Sequence, residues 1–444
     1  MITVGSVSAI ITNKLGTDIQ GATVGGKAKY VRDDLEAGAF YLKDGDNAVM
    51  FVSCDLGGLE PAFTLEARNA MAEKTGISAR SIIIGGTHTG GPSVIPSNYL
   101  KSVDTEYLDT LKLKLVDLAD RALNSMHPAK LGVSGGQAKI GYNRRCCQSD
   151  GSHNMGRNNK EPLEYTGQEG PEDHEQFVLY AVDENDNITA VLHQNTSHPC
   201  TFYGADFYSA DYPGLARKYI RDALGNIPVL FFNGAFGDIG QDKMDEKPFP
   251  VNSDMKLNRC ALPLAGETLR LIYENPPDEN LTIKHIYEDI TVKVRLPSQE
   301  TLSQAKDILA KVDSGKSIPP MEIALAHGAS LLQKRFEEKP EELLPIHVIQ
   351  IGHAAIVTQP TELFCQFGLD IKRRSPFALT SVFSICDGYA GYCPTYDAVI
   401  AGGYSGKPIY WTRFAPETGY KIVDESSRLL FQIQKENKDS NNER

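Results

Sequence analysis

Tryptophan occurs once in the 444 residues, and no stretch approaches the roughly 18 consecutive apolar residues that a membrane-spanning helix needs. The first residues, MITVGSVSAIIT, have neither a basic start nor a continuous apolar segment, so they do not read as a secretory signal. Basic charge is scarce: 45 Lys and Arg against 57 Asp and Glu leave a net charge of −12, which argues against a nucleic-acid surface and against an anionic membrane as partner. Eight cysteines are present, but no C-x-x-C pair, and two of them, Cys146 and Cys147, are neighbours. In a chain this long that is no disulfide framework; the expectation is buried thiols and a reducing, cytoplasmic home. A repeat and a dividing linker are also missing. We expect one α/β catalytic domain over residues 1–432 and a charged tail, 433–444, frayed from it.

What is present is alternation. "NAVMFVSCDL" (47–56) is an apolar, β-branched run that ends at Asp55, and "TLEARNAMAEKTG" (64–76) has helical spacing and a closing glycine. "SIIIGGTH" is the next strand, and residues 105–126 form a long amphipathic helix. Residues 300–314 and 321–338 read as surface helices, and 177–198 and 346–364 as β-hairpins, the first turning at "DENDN". Mixed β-sheet layers flanked by helices are therefore expected. The stretch 143–175 is polar, glycine-rich and unpatterned, and is read as a long functional loop.

Polar side chains recur just past the apolar runs, where α/β folds gather their functional groups. "GGTHTGG" offers His88, "QNTSHPC" offers His198, "NGAFGDIGQD" offers Asp238 and "TQPTELF" offers Glu362. A fifth loop, "SICDGYAGYCPT", offers Asp387, Tyr389 and Tyr392. Histidine and carboxylate from separate loops suit a catalytic zinc ion, which takes imidazole nitrogen and carboxylate oxygen and keeps a position for water. The same residues also suit turn and core roles, and spacing alone does not choose between them. Asp55 and Asp211 are weaker candidates for a catalytic role, since strand-end aspartates often cap loops.

The order of these loops resembles the N-terminal catalytic domain of the neutral, non-lysosomal ceramidase family. The resemblance rests on Gly86-Thr87-His88-Thr89-Gly90-Gly91-Pro92, Asn143-Arg144, His198-Pro199, Ser209-Ala210-Asp211-Tyr212-Pro213-Gly214, the run Asn233 to Gln241, Pro360-Thr361-Glu362-Leu363 and Tyr389 to Thr395. It also takes in a strand at Ile2–Ser6 and the glycine-rich stretch that follows, "GATVGGKAKYV". It implies one zinc ion held by His88, His198, Glu362 and Tyr392, with Arg144 binding a substrate oxygen or a developing oxyanion. A bound cation would favour the phenolate of Tyr392.

Departures are as informative. Gly240 stands where the family has its catalytic serine, Gly90 replaces a second histidine, and the length leaves no room for the family's C-terminal β-sandwich domain. The expectation is a divergent member: a zinc-dependent hydrolase of a small polar amide or ester, using metal-activated water. Asp238 or Asp387 would serve as general base or orient a ligand histidine. The alternatives are a zinc-dependent lyase or isomerase on a carbohydrate or carboxylate, with Tyr389 moving protons, and a catalytically degenerate metal-containing binding protein. The partner in each case is a small molecule.

Overall fold

The computed structural model describes residues 1–20, 26–92, 94–95, 103–155, 165–244 and 253–442. Three mixed sheets build the body. The first runs Ile82–Gly86, Asn47–Cys54, Glu36–Asp44, Thr3–Ile10, His127–Pro128. The second runs Val229–Asn233, Ile188–Asn195, Glu175–Val182, Lys130–Gln137, and the third Ile283–Lys293, Glu341–Ile351, Ala354–Thr358, Leu379–Phe383.

Period-two alternation explains how they pack. In Glu36–Asp44, Phe40 and Leu42 face a core shared by all three sheets, while Ala37, Ala39 and Tyr41 face a second core against the helices Pro61–Thr75 and Thr105–Asn124. Likewise Phe177, Leu179 and Ala181 point to the shared core, and Val178, Tyr180 and Val182 to the helices Asp211–Leu224 and Asp254–Glu274. The third sheet sends Ile349 and Ile351 inward and Leu344, Ile346 and Val348 toward the helices Cys365–Arg374 and Thr418–Asn442. Helices thus lie outside and sheets meet inside.

Each sheet also contains one parallel pair: Asn47–Cys54 with Ile82–Gly86, Ile188–Asn195 with Val229–Asn233, and Ala354–Thr358 with Leu379–Phe383. The carboxyl ends of these pairs converge, and hydrogen bonds stitch the loops beyond them together. Ser384 N–H donates to Asn233 O at 2.9 Å, Gly237 N–H to Leu363 O at 2.8 Å and Asp387 N–H to Ile84 O at 2.7 Å. Gly237 permits one of these approaches, since a Cβ there would lie 2.3 Å from the Glu362 carbonyl oxygen.

Several expected elements are found close to their boundaries, including the hairpin over 175–195 with its turn in "DENDN". Two expectations need correction. The segment 143–175 is not one loop: Arg145–Gln148 pairs with His153–Met155 on one side and Tyr165–Gln168 on the other, a small sheet that no period-two apolar pattern announces because its buried positions include the polar Arg145 and Gln148. Residues 156–164, inside that segment, lie outside the described residues. The charged C-terminal tail is part of one helix, Thr418–Asn442, which is anchored by packing of Leu429, Leu430 and Ile433. Among the described residues no helix is long and apolar enough to cross a membrane.

Candidate metal centre

His88 follows the strand Ile82–Gly86 in a left-handed conformation, φ 70°. Its Nδ1 lies 2.5 Å from the Gly57 carbonyl oxygen. A carbonyl only accepts, so Nδ1 carries the proton and Nε2 is left with a lone pair. His198 is set the same way: Nδ1 donates to Ile239 O at 2.8 Å, leaving Nε2 bare. Both bare nitrogens face one carboxylate oxygen, Glu362 Oε2, at 3.5 Å from His88 and 2.9 Å from His198. The other oxygen, Oε1, accepts a 2.6 Å hydrogen bond from the Tyr389 hydroxyl. Phe236, fully buried, packs against both imidazoles with centroid separations of 4.9 and 4.5 Å.

The electrostatics follow from burial. Burial brings the His198 imidazole down to about 3, with the Arg144 charge acting in the same direction, so this ring is neutral. Burial works to raise Glu362, but the polar groups around it, the donating Tyr389 hydroxyl among them, bring it down overall and it stays ionised. Burial and Glu362 push the Tyr392 phenol up while Arg144 pulls it down. Three lone-pair donors, His88, His198 and Glu362, therefore lie within 4.8 Å of one another with their outer atoms keyed by backbone carbonyls and a tyrosine. This donor set fits a metal ion.

Tyr392 and Arg144 join the cluster from the side. Tyr392 pairs with Glu362 in a short parallel ladder. Arg144 Nη2 donates to His198 Nε2 at 2.8 Å, to Tyr392 Oη at 2.9 Å and to Gly237 O at 3.1 Å. A Cβ at Gly240 would sit 3.1 Å from Arg144 Cδ, so the arginine side chain lies across the glycine. His88, His198, Glu362, Arg144, Tyr389 and Tyr392 all line one cavity of about 590 Å³, whose walls include Phe202, Tyr203, Phe207 and Tyr404.

The structure brings two other candidates elsewhere. The Asp238 carboxylate accepts from Cys365 N–H at 2.7 Å and Asn143 Nδ2 at 2.8 Å, and its carbonyl accepts the Arg144 N–H at 2.8 Å. Burial pushes its carboxyl up to about 7. It thus fixes the Asn143-Arg144 turn and does not line the cavity. Asp387 faces away as well: it accepts from Ile84 N–H at 2.9 Å and lies 2.8 Å from His347 Nε2 and 3.7 Å from Arg68 Nη1. Arg68 and His347 hold this carboxyl below its usual range against the opposing effect of burial. Asp55 is ion-paired to Arg217 at 2.6 Å, and Asp211 accepts from Thr201, Phe202 and Tyr212, so both are the loop caps expected. Gly57, Phe236 and Ile239 were not legible as site residues, since two act through backbone carbonyls and the third as an ordinary core aromatic.

No family model matches the sequence. No curated protein matches it either. Solved structures do match. The neutral ceramidase from Pseudomonas aeruginosa superposes with a TM-score of 0.75 at 18% identity, covering 98% of this chain and 75% of that one. A ceramidase complexed with C2 gives 0.73 at 17% identity, with coverages of 98% and 75%. The chain has the neutral ceramidase fold.

Proposed function

We propose that this chain is a zinc-dependent hydrolase of a small polar amide or ester, acting through metal-activated water and distinct from a true ceramidase. The observation that carries the reading is the pair of imidazoles, each keyed by a backbone carbonyl, turning bare nitrogens onto one ionised carboxylate at the floor of a cavity. His88, His198, Glu362 and Tyr392 would hold the ion. When bound, zinc lowers the pKa of a water toward about 7, which supplies a nucleophile without a serine. Gly240 at the position of the family serine is consistent with that route.

The chain's own residues do the rest. Tyr389 holds Glu362 in one orientation through its hydroxyl. Arg144 is the only lysine or arginine among the described residues lining the cavity, so it is the group to bind a substrate oxygen as negative charge develops there. Phe236 packs against both imidazoles and fixes their orientation. A lyase or isomerase reading has less support, because the Tyr389 hydroxyl that would carry protons is committed to Glu362 and burial raises its pKa well above the ordinary phenol value.

The test is turnover of a panel of small amides and esters, followed by mass spectrometry. Hydrolysis predicts products that together exceed the substrate by one water, and loss of turnover with a chelator. Products of unchanged total mass, or turnover indifferent to chelation, contradict the reading. Short-chain ceramide is expected to be a poor substrate; its rapid, chelator-sensitive cleavage would remove the distinction from a ceramidase.

A further inference from the structure

We propose that Arg144 is gated by the metal: its guanidinium shares the ligand atoms of the cluster, and a cation entering the cluster displaces it into the cavity, where it meets the substrate. This rests on the metal reading of His88, His198 and Glu362.

The ligand atoms themselves carry the proposal. A neutral imidazole nitrogen has a single lone pair, in the ring plane. His198 Nδ1 is used by the Ile239 carbonyl, so Nε2 is the only nitrogen of this ring open to a cation, and Arg144 Nη2 lies 2.8 Å from it. The same Nη2 takes the Tyr392 hydroxyl at 2.9 Å. One lone pair cannot serve a guanidinium N–H and a metal ion together, and two cations a few ångströms apart also repel. Binding of one therefore expels the other.

Three features suit Arg144 to move. Its backbone is anchored, since its N–H donates to Asp238 O at 2.8 Å and the preceding Asn143 is held by the Asp238 carboxylate, so displacement is a side-chain swing about a fixed pivot. Its Nε is buried and without a hydrogen-bond partner among the described residues, so its place in the cluster is only partly satisfied. Finally, the side chain runs over Gly240: a Cβ there would lie 3.1 Å from Arg144 Cδ, so a larger residue at 240 shifts the arginine by a few tenths of an ångström. The shared ligand atoms impose an order in which the metal arrives before the substrate-binding cation is released.

The experiment measures zinc affinity by competition with a chromophoric chelator for the full chain and for Arg144→Gln and Gly240→Ser, together with the melting temperatures of the zinc-free and zinc-loaded forms. Removing a competitor raises apparent affinity by the inverse of the competent fraction, so Arg144→Gln should bind zinc at least about tenfold more tightly. Gly240→Ser keeps the positive charge but shifts the arginine from its place over the ligand atoms, and should also bind more tightly, by a smaller factor. In Arg144→Gln the gap between zinc-free and zinc-loaded melting should widen. Unchanged or weaker zinc binding in Arg144→Gln overturns the proposal. So does tightening confined to Arg144→Gln with Gly240→Ser at the wild-type value, which would identify bare charge repulsion; if the serine variant fails to fold, Gly240→Ala replaces it, and an unwidened melting gap in Arg144→Gln decides against the proposal by itself. Zinc binding by the wild type with no shift in the variants removes only the gating, whereas absence of zinc binding in every form removes the metal reading with it.

Discussion

Glu362 is held through Oε1, and that makes Tyr389 more than a cavity wall. The 2.6 Å bond from its hydroxyl fixes the carboxylate so that Oε2 faces the two imidazoles. Partners of this kind, one step removed from a ligand, typically change metal affinity by about 10–100-fold. Tyr389→Phe keeps the ring and removes the hydroxyl, so zinc affinity should fall by about that factor with little change in the zinc-free melting temperature. Affinity equal to the wild type would mean the hydroxyl only fills space. Strain at the site has the same local character. His88, Asp211, Ile385 and Asp387 are four of the five non-glycine residues with positive φ among the described residues, and all four border the converging loops. Each such residue costs about 1–3 kcal/mol, most clearly the β-branched Ile385, and persists only because the surrounding hydrogen bonds over-determine it.

Loops, at the scale of elements, are aimed by the strands that precede them. The pattern of an apolar run, small residues and one polar group marked His88, His198 and Glu362, because a chain that ends a buried strand at a site must shed bulk before it presents a ligand. The same pattern marked Asp387, and there it misleads. Asp387 caps Ile84 and ion-pairs with Arg68 and His347, partners far away in sequence that no local pattern reveals. Its function is to clasp the tyrosine-bearing loop to the strand that delivers His88. Arg68 and Asp387 are both almost fully buried, and breaking a buried pair from one side typically costs about 3–5 kcal/mol. Asp387→Ala should lose stability of that order in urea unfolding. A loss under about 1 kcal/mol would place Asp387 outside the load path of this loop. Also illegible was the small sheet around Arg145–Gln148, whose strands are short and bury polar residues. Arg144 precedes it directly, and its place among the ligand atoms depends on Gly240, Asn143 and Asp238 at once.

Across the whole molecule, three sheets share one core and pass their parallel pairs toward a single point, which is why a chain with dispersed motifs has a compact site. Composition and periodicity made the α/β layering legible; the threefold convergence was not, because it depends on which sheets pack together. The helix-facing side of the second sheet also sets a pH limit. His193 lies fully buried between sheet and helix with Nδ1 on Thr268 Oγ1 at 2.9 Å, and burial brings it down to about 3. An unfolded histidine titrates near its ordinary value of about 6.5, so below that pH the unfolded chain takes up a proton that the folded chain refuses. The contribution of His193 is therefore complete above about pH 6.5 and is lost as pH falls toward about 3, at up to ~1.4 kcal/mol per pH unit. Measured against a His193→Gln variant, the wild type should show this acid slope; parallel curves would mean that His193 is protonated in the fold. The account depends most on the claim that His88, His198 and Glu362 form one metal site, and elemental analysis of purified protein tests it directly. One zinc per chain in the wild type, with most of it lost in His88→Ala while the variant remains folded, is the result predicted. Full zinc occupancy in His88→Ala, or none in the wild type after growth and purification with zinc, would contradict it.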